Sequence, residues 1–301
     1  MKRLLAVLLC LIPSIATAQL SGQGAGSAPD PFVIIEPADP TIAPGYKAVA
    51  GRTLANYAAI GGSKRCNIVW FGQSNSGANY ASPGYVITHP TLIFNFNIYN
   101  GGLYTTSAPL LGGGGPPSLV TGGSTAGGGN YLNAIADTLI AGGTCDRVVL
   151  IPASISSTTV ADWATGSQAQ RIVATAARLS ANGIPVSAIC WTQGESDNVA
   201  GTSQASYTAS LAIVIATIQA QAAFSGVPIF VSRTSYYLGT TSANVVNAQI
   251  AAVNGTTVFA LGNSDSLLAV DRRDDIHFDA SGITAWTAIA APNLAANLIV
   301  Y

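Results

Sequence analysis

Twice in the second half of the chain a helical stretch ends in Gly-x-Pro and runs straight into a β-branched segment. Gly183-Ile184-Pro185 opens onto residues 186–191, and Gly226-Val227-Pro228 onto residues 229–232. A glycine that stops a helix, then a proline that cannot continue it, returns the chain to an extended strand. Repeated, this unit builds a parallel sheet by crossover, with helices covering its faces. Apolar runs at residues 68–71, 148–151 and 258–261 extend the expectation to five parallel strands in an α/β fold. One intervening helix is expected from a capping box at Ser167-Gln168-Ala169-Gln170 to Asn182. The next is expected from near Ser203 to Gly226, with Leu211, Val214, Ile215 and Ile218 on one face. Ligands of such sheets bind beyond the carboxyl ends of the strands, so chemistry belongs in the loops that follow them.

The N-terminus reads as an export signal. Lys2 and Arg3 precede an apolar run over residues 4–12, and Ala16-Thr17-Ala18 supplies an A-x-A cleavage site. The run is too short to span a bilayer, so no integral membrane segment is expected after cleavage. Residues 1–18 are therefore assigned to the signal peptide, 19–62 to a Pro/Gly-rich lead-in and 63–301 to the folded domain, with a secreted or periplasmic destination. Composition agrees: only 8% of residues are charged and the formal net charge is -1, so a nucleic-acid partner is not expected. Cys66 and Cys145 each stand two residues before a β run, which places both thiols at one end of neighbouring strands, within reach of a disulfide. Cys190, inside an apolar run, reads as a small buried hydrophobe.

Three strand-following loops carry the polar groups. The first reads Gly72-Gln73-Ser74-Asn75-Ser76-Gly77, where a serine beside backbone N–H groups has the makings of an acyl-transfer nucleophile. The second, Trp191-Thr192-Gln193-Gly194-Glu195-Ser196-Asp197, holds one of the two glutamates in the chain. The third, Asp271-Arg272-Arg273-Asp274-Asp275-Ile276-His277, holds one of two histidines, with Asp274 three residues upstream to orient it. The other, His89, has no acid beside it in sequence and reads as an ordinary loop residue. No H-x-x-x-H pair is present, so neither a metal nor another cofactor is expected.

GQSN after the first strand, WTQGESD after a middle one and DDIH before the last helix occur in an order that resembles the SGNH/GDSL hydrolases. The likeness is to the sialate O-acetylesterase-like branch and carbohydrate esterase family 6, over about residues 66–298. It implies a flavodoxin-like three-layer α/β/α sandwich and removal of acetyl groups from carbohydrate, whether an acetylated polysaccharide or a sialic-acid-type sugar. It further implies Ser74 as nucleophile, His277 as base, Asp274 as its orienting acid with Glu195 assisting or competing, and Gln193 at the oxyanion hole. Where the family shows Gly-Gly before a tryptophan, this chain has Ser156-Ser157 ahead of Trp163. The backbone N–H groups of Ser74 and of Ser156 or Ser157 then complete the oxyanion hole. Any positive φ at those serines is costly, and their side chains narrow the pocket. Gln73, Asn75 and Trp163 are the candidates for substrate binding, with Tyr236 and Tyr237 as further aromatic platforms.

Two other readings stay open at this point. One is a catalytically silent carbohydrate-binding protein, favoured by the replaced glycines and the Gly-rich stretch 112–129. The other is a lipid or thioester hydrolase, which needs an aliphatic groove that the Gly/Ser/Thr-rich loops offer little of.

Overall fold

The computed structural model describes residues 54–77, 79–99, 101–113 and 128–301. The expected signal peptide, most of the lead-in and much of the Gly-rich stretch lie outside the described residues. Eight strands follow one another along the chain: β1 (Leu54–Ala55), β2 (Arg65–Gly72), β3 (Ile93–Phe96), β4 (Leu103–Thr105), β5 (Arg147–Pro152), β6 (Ala188–Thr192), β7 (Ile229–Arg233) and β8 (Val258–Asn263). They form one sheet in the order β1-β4-β3-β5-β2-β6-β7-β8. From β3 to β8 every pairing is parallel, while β4 and β1 add antiparallel strands at one edge.

The parallel α/β class is as expected, but five strands is an undercount. β3 was missed because Asn95 interrupts its apolar pattern. That side chain is buried and serves as a clamp, accepting from Leu111 N at 2.6 Å and donating to Leu111 O at 3.1 Å. β1 and β4 are too short to show a period, and β1 comes from residues expected to belong to the lead-in.

Among the described residues seven α-helices accompany the sheet: α1 (Leu132–Ala141), α2 (Val160–Ala164), α3 (Ala169–Ala181), α4 (Glu195–Val199), α5 (Gln204–Gln219), α6 (Ala243–Ala252) and α7 (Ala280–Asn297). The period of two along β2 sends Val69 and Phe71 into one core with α3, α5 and α6, and Ile68 and Trp70 into the other with α1 and α7. The result is the three-layer sandwich. Trp70, Trp163, Trp191 and Trp286 are all fully buried, and burial of such side chains contributes roughly 1.5–3 kcal/mol each.

Two helix ends depart from expectation. α3 begins one residue after Gln168 with no side-chain cap, so Ser167 does not start a capping box. The box sits instead on α2, where Thr159 and Asp162 cap each other's backbone N–H groups. α5 is capped by Ser203 as expected and buries Leu211, Val214 and Ile218, but it ends at Gln219, before a 3-10 turn leading to Gly226. Cys66 and Cys145 form the expected disulfide, with 5.9 Å between their Cα atoms, and Cys190 is free and buried. The bridge joins the amino ends of β2 and β5. After β2 the chain builds β3, β4 and β5 on one side of it and then crosses over to β6 on the other, which makes the carboxyl end of β2 the switch point of the sheet.

Candidate active site

At that switch point β2 ends in Gly72, whose φ is +125° and where a Cβ would lie 2.0 Å from Thr192 O. Only glycine allows this approach, and it lets Gln73 N donate to Thr192 O at 3.1 Å. Ser74 follows in the turn. Its hydroxyl and its backbone N–H have no hydrogen-bond partner among the described residues. It lines an open pocket of about 440 Å³ together with Gln73, Tyr80, Ser156, Ser157, Tyr237 and His277, among others.

His277 comes from the other end of the chain. Its Nδ1 lies 2.8 Å from Asp274 Oδ2, and its backbone N–H donates to Asp274 Oδ1 at 2.7 Å. Asp275, at φ +58°, turns the chain so that one carboxylate reaches both groups; aspartate tolerates that left-handed region better than most residues. The Tyr80 ring stacks on the imidazole with centroids 4.9 Å apart. Burial lowers the His277 pKa below its usual 6.5, and Arg273 and Arg272 add to this, while Asp274 opposes it. Burial alone would raise Asp274, but the His277 N–H, the imidazole and the Ile276 N–H together bring it below the usual carboxylate range. The pair is thus a neutral imidazole held by an ionised carboxylate near neutral pH.

Several expected roles change once burial is seen. Glu195 does not meet the histidine. It is 1% exposed, and its Oε1 accepts from Asn75 Nδ2 at 2.8 Å. Burial pushes its pKa up to about 7 against the pull of Asn75 and Arg272, and its Oε2 has no partner. Neither N–H of Asn75 is left for substrate, since the second donates to Ile276 O at 3.0 Å.

Gln193, expected at the oxyanion hole, has its amide fully buried and donating to Thr158 O, Gln73 Oε1 and Asp197 Oδ2. Two amide hydrogens facing three acceptors leave none for a ligand. Gln73 lines the pocket, but its carbonyl accepts from Ser196 N and Gly194 N and so braces the loop after β6. Trp163 is fully buried against Phe71 and Trp191, with its Nε1 donating to Thr158 Oγ1, and cannot stack on a sugar. Tyr236 is also buried, bonded to Asp275, whereas Tyr237 does line the pocket.

Ser156 and Ser157 both line the pocket, and Ser157 adopts φ +59°. The left-handed conformation anticipated where the family has glycine is therefore present without glycine. The Ser157 N–H has no acceptor among the described residues, so two free N–H groups, of Ser74 and Ser157, border one cavity.

Asp197 was not singled out from sequence. Its Oδ2 accepts from Val160 N at 2.8 Å and Gln193 Nε2 at 2.6 Å, fixing the start of α2 just after the two serines. His89 is not an ordinary loop residue: Asp137, far along the chain, holds its Nδ1 at 2.9 Å and its backbone N–H at 2.8 Å. That pair lies outside the pocket of Ser74. Among the described residues no cluster of three or more His, Cys, Asp or Glu side chains is arranged to hold a metal ion.

The family model for carbohydrate esterases of the sialic acid-specific acetylesterase type matches residues 118–293, more than half of the chain. The chain belongs to this carbohydrate esterase family. As a member it is a carboxylic ester hydrolase of the acetylesterase class. The matched residues of the esterase include Ser156, Ser157, Gln193, Asp274 and His277 and begin downstream of Ser74.

Solved structures agree on the fold. A protein from Arabidopsis thaliana superposes with a TM-score of 0.60 at 15% identity, over 78% of the esterase and 99% of that chain. NanS gives 0.54 at 13% identity, over 78% and 96% of the two chains. A carbohydrate acetylesterase from Xanthomonas citri gives 0.52 at 14%, over 75% of the esterase and 55% of that larger chain. No curated protein matches the esterase by sequence.

Proposed function

We propose that this acetylesterase works through Ser74, His277 and Asp274 on acetylated carbohydrate, after export from the cell. The observation that carries the reading is the oriented imidazole, 2.8 Å from Asp274, in the same pocket as an unengaged serine hydroxyl. Ser74 Oγ attacks the ester carbonyl while His277 Nε2 takes its proton. The negative charge that develops on the carbonyl oxygen falls to the N–H groups of Ser74 and Ser157. The alkoxide of the sugar leaves with the proton from His277, and an acetyl group remains on Ser74. Water, deprotonated by the same imidazole, then releases acetate.

The low charge of the chain, its N-terminal pattern and the Cys66–Cys145 bridge support an oxidising, extracytoplasmic setting. Among the described residues no helix is long and apolar enough to cross a membrane.

Hydrolysis of a chromogenic acetate ester beside its butyrate and octanoate analogues, with Ser74→Ala as control, tests the reading. Acetate turnover that disappears in Ser74→Ala, with little on octanoate, is the expected result. Turnover surviving in Ser74→Ala overturns the nucleophile. No turnover on any chain length supports the silent carbohydrate-binding reading, which the strained Ser157 favours.

A further inference from the structure

Ser74 and His277 stand in segments some two hundred residues apart, yet each is one peptide unit from a single hydrogen bond that joins those segments. Asn75, next to Ser74, donates through Nδ2 to the carbonyl of Ile276, next to His277, at 3.0 Å. The same carbonyl accepts from Arg272 Nη1. The rest of the Arg272 fork is committed as well, Nε to Leu267 O and Nη2 to Ser264 O, both at 2.9 Å.

The guanidinium is 5% exposed and lies between the rings of Tyr236 and Phe278, 4.6 and 4.7 Å from their centroids. No carboxylate is among its hydrogen-bond partners. A buried cation whose hydrogen bonds all go to carbonyls, and which lies between ring faces, marks a structural fork that lysine, with a point charge and no plane, cannot reproduce. Arg272 also pairs with Phe278 in an antiparallel bridge, and Arg273 N donates to His277 O at 2.9 Å, so the loop carrying Asp274 and His277 is closed at its base.

We propose that Arg272 is a positioning residue of the esterase: with Asn75 it pins the Ile276 carbonyl and so sets the separation of Ser74 from His277. Arg272 lines no part of the pocket and acts only through that carbonyl. This rests on the reading of Ser74 and His277 as nucleophile and base. Misplacing reacting groups by about 1 Å can cost on the order of 100-fold in rate without touching the substrate site. The consequence is a loss in kcat with KM nearly unchanged.

The test compares Arg272→Lys, Asn75→Ala and the double variant by kcat and KM on a chromogenic acetate ester. Hydrogen exchange of residues 273–278 is measured in parallel, and thermal unfolding checks that each variant is folded. Each single variant should lower kcat by about tenfold or more with KM within about twofold. Because both act on one carbonyl, the double variant should fall well short of the product of the two losses. Exchange in the 273–278 segment should quicken in both.

Unchanged kcat in folded Arg272→Lys overturns the proposal, as do losses that multiply fully or exchange that stays at the wild-type rate. Should Arg272→Lys not fold, Arg272→Gln keeps an uncharged donor and takes its place. An inactive wild type would overturn the esterase reading alone, since the exchange measurement decides the tie without turnover.

Discussion

At the scale of single residues, the site is a set of polar side chains whose roles are decided by burial. On the proposed mechanism His277 carries the pH dependence. Its pKa lies below 6.5 because burial and the two neighbouring arginines disfavour the imidazolium, and a base has to be the neutral ring. The acidic limb of kcat/KM should therefore rise with pH through a midpoint below 6.5; a midpoint above 6.5 would contradict this. Glu195 runs the other way for stability. With a folded pKa of about 7 against 4.5 unfolded, it favours the fold while protonated in both states, and that contribution is lost as pH rises toward 7. Urea unfolding of wild type should weaken over that range, and Glu195→Gln should flatten the decline.

Ser157 offers a third check. Relief of its φ of +59° by Ser157→Gly should stabilise the protein by about 1 kcal/mol. The same change removes a side chain from the pocket, so the ratio of butyrate to acetate turnover should rise. Sequence showed which residues were polar or aromatic, not which were buried. Gln193 and Trp163 looked like ligand-facing groups and are braces, while Asp137, the partner of His89, is invisible to any search of neighbouring positions.

At the scale of elements, the loops after β2, β5, β6, β7 and β8 line the site, and buried side chains tie neighbouring loops together. Asp197, from the short α4, holds the amino end of α2 and with it the two serines. Asp197→Ala would leave the Val160 N–H without its acceptor, a loss of about 1–3 kcal/mol. Chemical denaturation should show that loss, together with a fall in kcat as the Ser157 N–H is released from its place.

The elements themselves were largely legible, for physical reasons. Gly-x-Pro and β-branched runs fix a crossover unit locally, and Ser203 caps α5 as its type predicts. What failed was local as well: Asn95 hid β3 by putting an amide where the strand pattern asks for an apolar residue. Likewise, Ser167 with Gln170 offered a plausible cap, while Thr159 and Asp162, with a carboxylate in place of an amide, form a box on α2.

At the scale of the whole molecule, the sheet has two poles. The Cys66–Cys145 bridge closes a separation of 79 residues at the amino ends of β2 and β5, whereas Ser74 lies past the carboxyl end of β2, about 25 Å away by strand length. A loop of that size constrains the unfolded chain by about 4.5 kcal/mol in the loop-entropy model. Replacing both cysteines with serine should lower the unfolding free energy by about 2–4 kcal/mol and leave kcat at 25 °C unchanged. A change in kcat would mean that strain travels the length of the sheet.

The other pole has a temporal consequence. The bond between Asn75 and Ile276 joins positions 201 apart in sequence, and nearly every strand must be in place before its two ends can meet. On the proposed mechanism a growing or partly folded chain would be inert, and the first ester it cleaves would announce that the last loop has closed. Turnover in a refolding experiment would thus serve as a clock for completion, running later than any signal from helix content or from the buried tryptophans.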